Sequence, residues 1–494
     1  AVLQGIIVLE VSRGAVGEKL TLRALWTKAR GRIGALIGWA ALLVLTVTVV
    51  LGAIVLIIVM LAVSLGTGGI IAAVLMLTLV SSTLNSAHAQ TPTEIKFYYP
   101  TAVGGPINKV MDGFAEQFNK ANPDVHVTAV YAGGYADIYK AIDTQVKGGG
   151  AGPDVGILLS TDLYSLIDND YVIPLDDFIS KSKDADTYLK DFFPAFLLNS
   201  QTGGKTWGIP FQRSTPVLYY NKDLFTAAGL DASKAPATVA DLQAYAQKLT
   251  KADGSQWGLE IPSDGFPYWL FQGFAIGNGQ NLVSDAANKV YFNTPSTVAA
   301  LQYFIDLPNK YKVMPPGIIK WGDTPTDFTS GKAAMIYHTT GSLTNILKNA
   351  KFNVGVGFLP QGSKTYGAPT GGGNLYIVKS APVDHQAAAW RWIQFLSSPQ
   401  TQADWTVATG YIAARQSAWT TDTLTKLVAD HPQYAVARDQ LQYATKELAT
   451  HRGADIQHIF GGAVQAALTG DKTPQQALDD AQKQAEDLLK DFTD

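Results

Sequence analysis

Apolar residues recur along residues 93–160 with two alternating periods. TEIKFYYP (93–100) and VHVTAVY (125–131) alternate apolar and polar positions, which predicts half-buried strands. Between them, GGPINKVMDGFAEQFNKANP (104–123) repeats at helical spacing. Val110, Phe114 and Phe118 share one face, Pro106 suits the first turn, and Asn122-Pro123 ends the helix. YADIYKAIDTQVK (135–147) predicts a second helix, closed by GGGAGP, and DVGILLS (154–160) is a nearly all-apolar strand of the kind buried in parallel sheets. Strand, helix, strand, helix, strand at this spacing predicts a doubly wound α/β sheet.

The next segment, PFQRSTPVLYYNKDLF (210–225), changes character twice. The polar run Gln212-Arg213-Ser214-Thr215 stops at Pro216 and passes directly into an aromatic strand. Asn221 is a predicted N-cap for KDLFTAA, which stops at Gly229. Thr238 caps VADLQAYAQKL with Asp241 at the third helical position, a capping-box arrangement. From 335 the pattern MIYH, TTGS, LTNILKNA is strand, loop, helix. The last third is mostly helical, over 383–396, 399–409 and 473–492. These patterns predict two α/β lobes with the chain crossing between them more than once. The lobes are expected at 90–213 plus about 337–390, and at 214–336 plus about 391–494, with 210–225 as the first crossing.

Ahead of the lobes lies a region of another kind. No Asp, Glu, Lys or Arg occurs between Arg32 and Glu94, and the apolar run from Ile33 to Val80 is far longer than the ~20 residues that span a bilayer. SLGTGG interrupts it at 64–69, and Ala87-His88-Ala89 fits the small-x-small pattern of a secretory cleavage site. Residues 1–89 are therefore expected to be a signal removed after Ala89, with a retained membrane anchor and a mis-assigned start as the alternatives.

Composition narrows the chemistry. From residue 90 onward acids outnumber bases, which argues against a nucleic-acid partner. Cysteine is absent, so disulfides, thiolate metal sites and a cysteine nucleophile are all excluded. The seven histidines form no HExxH or close-spaced metal pattern. GGKT (203–206) lacks the phosphate-loop glycine, because Asn199 stands in its place, and no GxSxG elbow occurs. Paired carboxylates of a glycoside hydrolase are set by spatial separation, and nothing in the sequence marks such a pair. What does recur is a strand followed by a small hydroxyl- or glycine-rich loop: GGY (133–135), LLSTD (158–162), QRSTP (212–216), HTTGSL (338–343), TGGGNLY (370–376) and ATGY (408–411). In open α/β sheets, ligands bind at the carboxyl ends of strands, where such loops offer hydroxyls and backbone amides. TTGS opening a helix also offers amide donors to an anion.

AEQFNKANPDV, STPVLYYNKDLFTAAGL, AKFNVGVGFLPQG, the TGGGNLYIV strand, TGYI and TGDKTPQQALD together carry a family resemblance over about 400 residues. From Thr93 to the C-terminus the chain resembles the extracellular solute-binding proteins of bacterial ABC importers, nearest to their glycerol-3-phosphate-binding branch. The resemblance implies a two-lobed, type II-like periplasmic-binding-protein fold with hinge crossings, preceded by the apolar signal or transmembrane segment. It also implies a small polar solute in the cleft, a cognate permease as partner, a periplasmic monomer, and no catalysis, cofactor or metal. By position it implies ligand contacts from Tyr135, Ser214, Thr339, Gly372 and Tyr411, with Arg452 as the nearest candidate for a phosphate-binding arginine. Ser160 stands where the branch has a glutamate for glycerol hydroxyls, and Asp162, two residues on, is a possible substitute. Arg213 is a second candidate for phosphate, and Tyr268 and Trp269 are either cleft or core. The expected solute is glycerol 3-phosphate or a glycerophosphodiester, with a sugar or oligosaccharide as the rival. A membrane-anchored sensor domain and a phosphodiester or glycoside hydrolase are the readings from other classes.

Overall fold

The computed structural model describes residues 91–150 and 152–492, together with scattered helical positions between Thr46 and Ser64. The chain divides into two compact units, Ala1–Thr91 and Pro92–Asp494. The expected signal or anchor at 1–89, with its cleavage site, otherwise lies outside the described residues. Among those that are described, no helix is long and apolar enough to cross a membrane.

Within Pro92–Asp494 the strands longer than two residues are β1 (Thr93–Tyr99), β2 (Val125–Tyr131), β3 (Val155–Leu159), β4 (Ile209–Ser214), β5 (Pro216–Asn221), β6 (Met335–Thr339), β7 (Val354–Gly357) and β8 (Gly371–Ile377). The first five-stranded sheet has the order β2-β1-β3-β8-β4. β1 pairs in parallel with β2 and β3, as their intervening helices require, and β8 runs antiparallel between β3 and β4. β1 buries Ile95, Phe97 and Tyr99 and exposes Glu94 and Lys96, the period-two pattern of a strand with one covered face. Helices Ile107–Ala121 and Val383–Leu396 help to cover this sheet, and Trp392 meets Phe97 edge-on with ring centroids 5.4 Å apart.

A second sheet of three strands, in the order β6-β5-β7, is antiparallel throughout. β4 passes into β5 through the single residue Thr215, so Gln212–Ser214 lie in one sheet and Val217–Tyr220 in the other. All six residues of β5 are buried. Val217 and Tyr219 join one core, with Phe97, Ile157 and Trp405. Leu218 and Tyr220 join another, with Phe271, Phe304 and Phe460. Two covered faces explain an apolar run without alternation. The expected boundary near 337 falls inside β6, which pairs with β5; the chain re-enters the first sheet with β8 at Gly371.

Three segments cross between the sheets. Beside 214–216 lie Ala368–Pro369 and Ala444–Thr445, which pair in parallel. Thr215 Oγ1 donates to Pro369 O at 3.0 Å, and Gln440 Nε2 donates to Thr215 Oγ1 at 3.1 Å and to Pro216 O at 2.8 Å.

Local signals hold where they are strongest. Asn221 Oδ1 accepts from the backbone N–H groups of Asp223 and Leu224, both at 3.0 Å, and Thr238 with Asp241 forms the full capping box. Asn221→Ala is expected to lower stability by about 1 kcal/mol, the usual cost of losing such a cap. Urea unfolding should show a lower midpoint with an unchanged slope, and an unchanged midpoint would count against the assignment.

Candidate functional site

A cavity with about 340 Å³ of empty space, part of it open to solvent, lies where the crossings meet. β4 and β8 place Ser214 and Gly372 on its wall, and the end of β6 places Thr339 there. Tyr135, at the start of its helix, and Tyr411, just after helix Pro399–Thr409, add two buried phenols. Gln212 Nε2 holds both, donating to Tyr135 Oη at 2.7 Å and to Tyr411 Oη at 3.3 Å. The Tyr411 ring also stacks on Trp405, with centroids 5.7 Å apart and planes 7° from parallel. Trp269, Trp321 and Phe266 supply aromatic faces, and Ala102, Val103 and Leu159 complete the apolar lining.

Close approach at this site depends on glycine. Gly372 has φ +89°, and a Cβ there would lie 2.0 Å from the carbonyl oxygen of Gln212. At Gly371 a Cβ would sit 2.4 Å from the Trp269 indole, whose Nε1–H donates to Thr370 O at 2.7 Å. The glycine run therefore admits a tryptophan and a neighbouring strand together.

Two lining residues from distant parts of the chain touch directly. Trp321 Nε1–H donates to Ala102 O at 3.0 Å, linking the loop ahead of helix Thr324–Thr329 to the loop after β1. Behind Thr339, His338 lies buried, with its ring centroid 4.0 Å from that of Trp321 and Nδ1 3.0 Å from Ser342 Oγ. Burial pushes its pKa down to about 4, so the ring is neutral at physiological pH. Thr339 Oγ1 accepts from Gly341 N at 3.1 Å and so covers one of the amide donors that TTGS offers.

One charged side chain of the lining carries no signal in the sequence. Glu447 lines the cavity and is almost fully buried. Its Oε2 accepts from Ser160 Oγ at 3.1 Å, and its Oε1 accepts from Tyr268 Oη at 3.3 Å. Its backbone is bracketed by Asn199, which accepts from Glu447 N at 3.0 Å and donates to Glu447 O at 3.4 Å. A carboxylate does therefore arrive beside Ser160, from a residue 287 positions away. Burial pushes the Glu447 carboxyl up to about 8, and the charge of Arg213 acts in the opposite direction. TKEL (445–448) carries no local signal for this role. Phe266 and Trp321 were missed for the same reason.

The structure brings Tyr135, Ser214, Thr339, Gly372, Tyr411 and Trp269 onto the cavity wall. Ser160 and Tyr268 stand behind it as partners of Glu447. Asp162 is partly buried off the lining, and burial raises its carboxyl to about 7. Arg213 is fully buried, but its side chain projects from the opposite face of β4 to Gln212 and Ser214. There its Nη1 donates to Asn374 Oδ1 at 3.0 Å and its guanidinium lies 5.1 Å from the Phe196 ring centroid. Arg452 is not brought to the site. It is half-exposed, with positive φ, and pairs with Asp455 at 2.7 Å within its own turn. No lysine or arginine is among the residues that line the cavity.

Residues 113–435 match the family model described as bacterial extracellular solute-binding protein. The chain is 29% identical over 432 residues to the sn-glycerol-3-phosphate-binding periplasmic protein UgpB of Pectobacterium atrosepticum, covering 84% of this chain and 95% of that one. It is 30% identical over 424 residues to the protein of the same name from Escherichia coli, covering 82% and 94%. Among solved structures it resembles UgpB from Mycobacterium tuberculosis in complex with glycerophosphocholine, with a TM-score of 0.72 and 22% identity over 82% of this chain and 100% of that one. It also resembles the acarbose-binding GacH receptor of Streptomyces glaucescens, with a TM-score of 0.71 and 23% identity over 81% and 100%. The fold is accordingly the two-lobed periplasmic-binding-protein fold.

The raised carboxyl of Glu447 has a consequence for stability. Between the ordinary carboxyl value of 4.5 and about 8, the folded protein holds a proton that the unfolded chain has lost. The contribution of this group therefore falls as pH rises through that window. Glu447→Gln removes the effect. Its stability relative to the wild type is expected to improve from pH 5 to pH 8.5 by on the order of 4 kcal/mol. Denaturant unfolding at both pH values measures this, and equal differences at the two would refute it.

Proposed function

Because this chain belongs to the bacterial extracellular solute-binding proteins, the binding components of ABC importers, we propose that it captures a small polyhydroxylated solute between its two sheets and hands it to a membrane permease. The observation that carries this reading is the cavity itself. The hydroxyls of Ser214 and Thr339, the phenols of Tyr135 and Tyr411 and the backbone at Gly372 face the same small space as Trp269 and Trp321. Aromatic faces pack against a carbon skeleton while hydroxyls and amides take its polar atoms.

The proposed mechanism is hinge closure. A ligand that touches both sides of the cleft binds the closed form better and shifts the population toward it. The hydrogen bond from Trp321 to Ala102 O joins the two sides and supports reading this conformation as closed. The solute leaves unchanged, and the protein acts as a monomer in the periplasm, the compartment named for its relatives.

Two solute classes have support. Relatives at 29–30% identity over nearly their whole length are named for sn-glycerol 3-phosphate, which favours a glycerol phosphate or glycerophosphodiester. A lining with one carboxylate and no basic side chain favours a neutral polyol or sugar.

A thermal-shift and small-angle-scattering screen over sn-glycerol 3-phosphate, glycerophosphocholine, ribitol and maltose tests the reading. A true ligand at 100 times its dissociation constant adds about 2.7 kcal/mol of stability and should make the protein more compact. Ser214→Ala is expected to weaken that ligand by about tenfold, the value of one hydrogen bond. If no member of the screen stabilises or compacts the wild type, the proposal fails.

A further inference from the structure

Resting on the solute-capture reading above, we infer that Glu447 determines which solutes the cavity accepts: its carboxylate takes the hydroxyl hydrogens of a vicinal diol and keeps phosphate groups from that wall. Burial keeps this carboxyl protonated below about pH 8; above that it is ionised and accepts about four hydrogen bonds, two on each oxygen. Protein donors supply one to each oxygen, Ser160 Oγ at 3.1 Å and Tyr268 Oη at 3.3 Å. One acceptor position on each oxygen remains without a protein donor, on a residue that lines the cavity. Two adjacent acceptors match two adjacent hydroxyls, as they occur in glycerol, polyols and sugars.

The carboxylate is also held in place. Asn199 brackets the Glu447 backbone on both its N–H and its carbonyl, while Ser160 and Tyr268 grip the side chain from different parts of the chain. A group fixed this way selects by geometry, because it cannot swing aside for a ligand it does not suit. Charge works in the same direction. A phosphate placed against Glu447 above about pH 8, where the carboxyl is ionised, would bring like charges together in a desolvated site. No lysine or arginine lines the cavity, and the buried charge of Arg213, which does act on Glu447, offsets that cost only in part. Arg213 lies on the other face of β4 with Asn374. A ligand that carries a phosphate must therefore present its hydroxyl end to this wall.

The test uses the full chain at pH 9, where Glu447 is ionised, with ribitol, glycerophosphocholine and inorganic phosphate as probes, measured by titration calorimetry on the wild type, Glu447→Gln and Ser160→Ala. Glutamine replaces two acceptors with one acceptor and one donor. Glu447→Gln is expected to weaken the tighter of the two diol probes at least tenfold, while inorganic phosphate binds it no worse than the wild type. Ser160→Ala keeps the carboxylate and removes one of its clamps, so it should lose less than Glu447→Gln. Melting temperatures of both variants establish that they are folded. The inference is overturned if Glu447→Gln binds the diol within twofold of the wild type, if Ser160→Ala loses as much, or if inorganic phosphate binds the wild type more tightly than the variant. Should the diol still bind and compact the protein in any of those cases, the solute-capture reading stands without it. If neither diol binds the wild type, both fall together.

Discussion

Where a chain passes three times through a narrow waist, its backbone and side-chain polar groups leave water and must find partners there. In this protein the crossings supply one another. Thr215 donates to Pro369 O, Gln440 reaches both Thr215 and the carbonyl of Pro216, and the N–H of Thr370 donates to Thr445 O at 3.1 Å. Asn199 extends the same layer to Thr370 and Glu447. Buried atoms without a protein partner occur in and beside this layer: Gln212 Oε1, Thr161 Oγ1, and Nε and Nη2 of Arg213. The polar run at 212–215, odd before a buried strand, is thus the part of the chain that pays its debts sideways, to the other two crossings and to the cavity.

Most of the fold was legible because its signals are local. A period of two, a period near 3.6, and a capping residue three positions before its partner each act over one or two turns, and the strands, helices and caps they predict are present. The cavity was half legible for a related reason. Ser214, Thr339 and Gly372 sit at the ends of strands that could be read directly, and strand ends are where an open sheet gathers ligand contacts.

Glu447 shows where reading along the chain stops. Its role is made by Ser160, Asn199 and Tyr268, each more than 170 positions away, and a buried carboxylate has the same sequence as an exposed one. Arg452 shows the converse. It carries the expected charge in the expected part of the chain, but Asp455 lies one helical turn on and satisfies it at the surface. Ser160 stands beside a carboxylate all the same, because the chain after Ala444–Thr445 brings Glu447 within hydrogen-bonding distance of its hydroxyl.

The strand β5 has a thermodynamic meaning beyond its place in the second sheet. Its odd and even side chains belong to different cores, Val217 and Tyr219 to one and Leu218 and Tyr220 to the other. A wall shared in this way cannot be lost from one room alone. Melting either core strips one face of β5 bare and removes the support on which the opposite face packs. The two halves are thereby tied into one cooperative unit, although the cleft between them gives the appearance of separable domains.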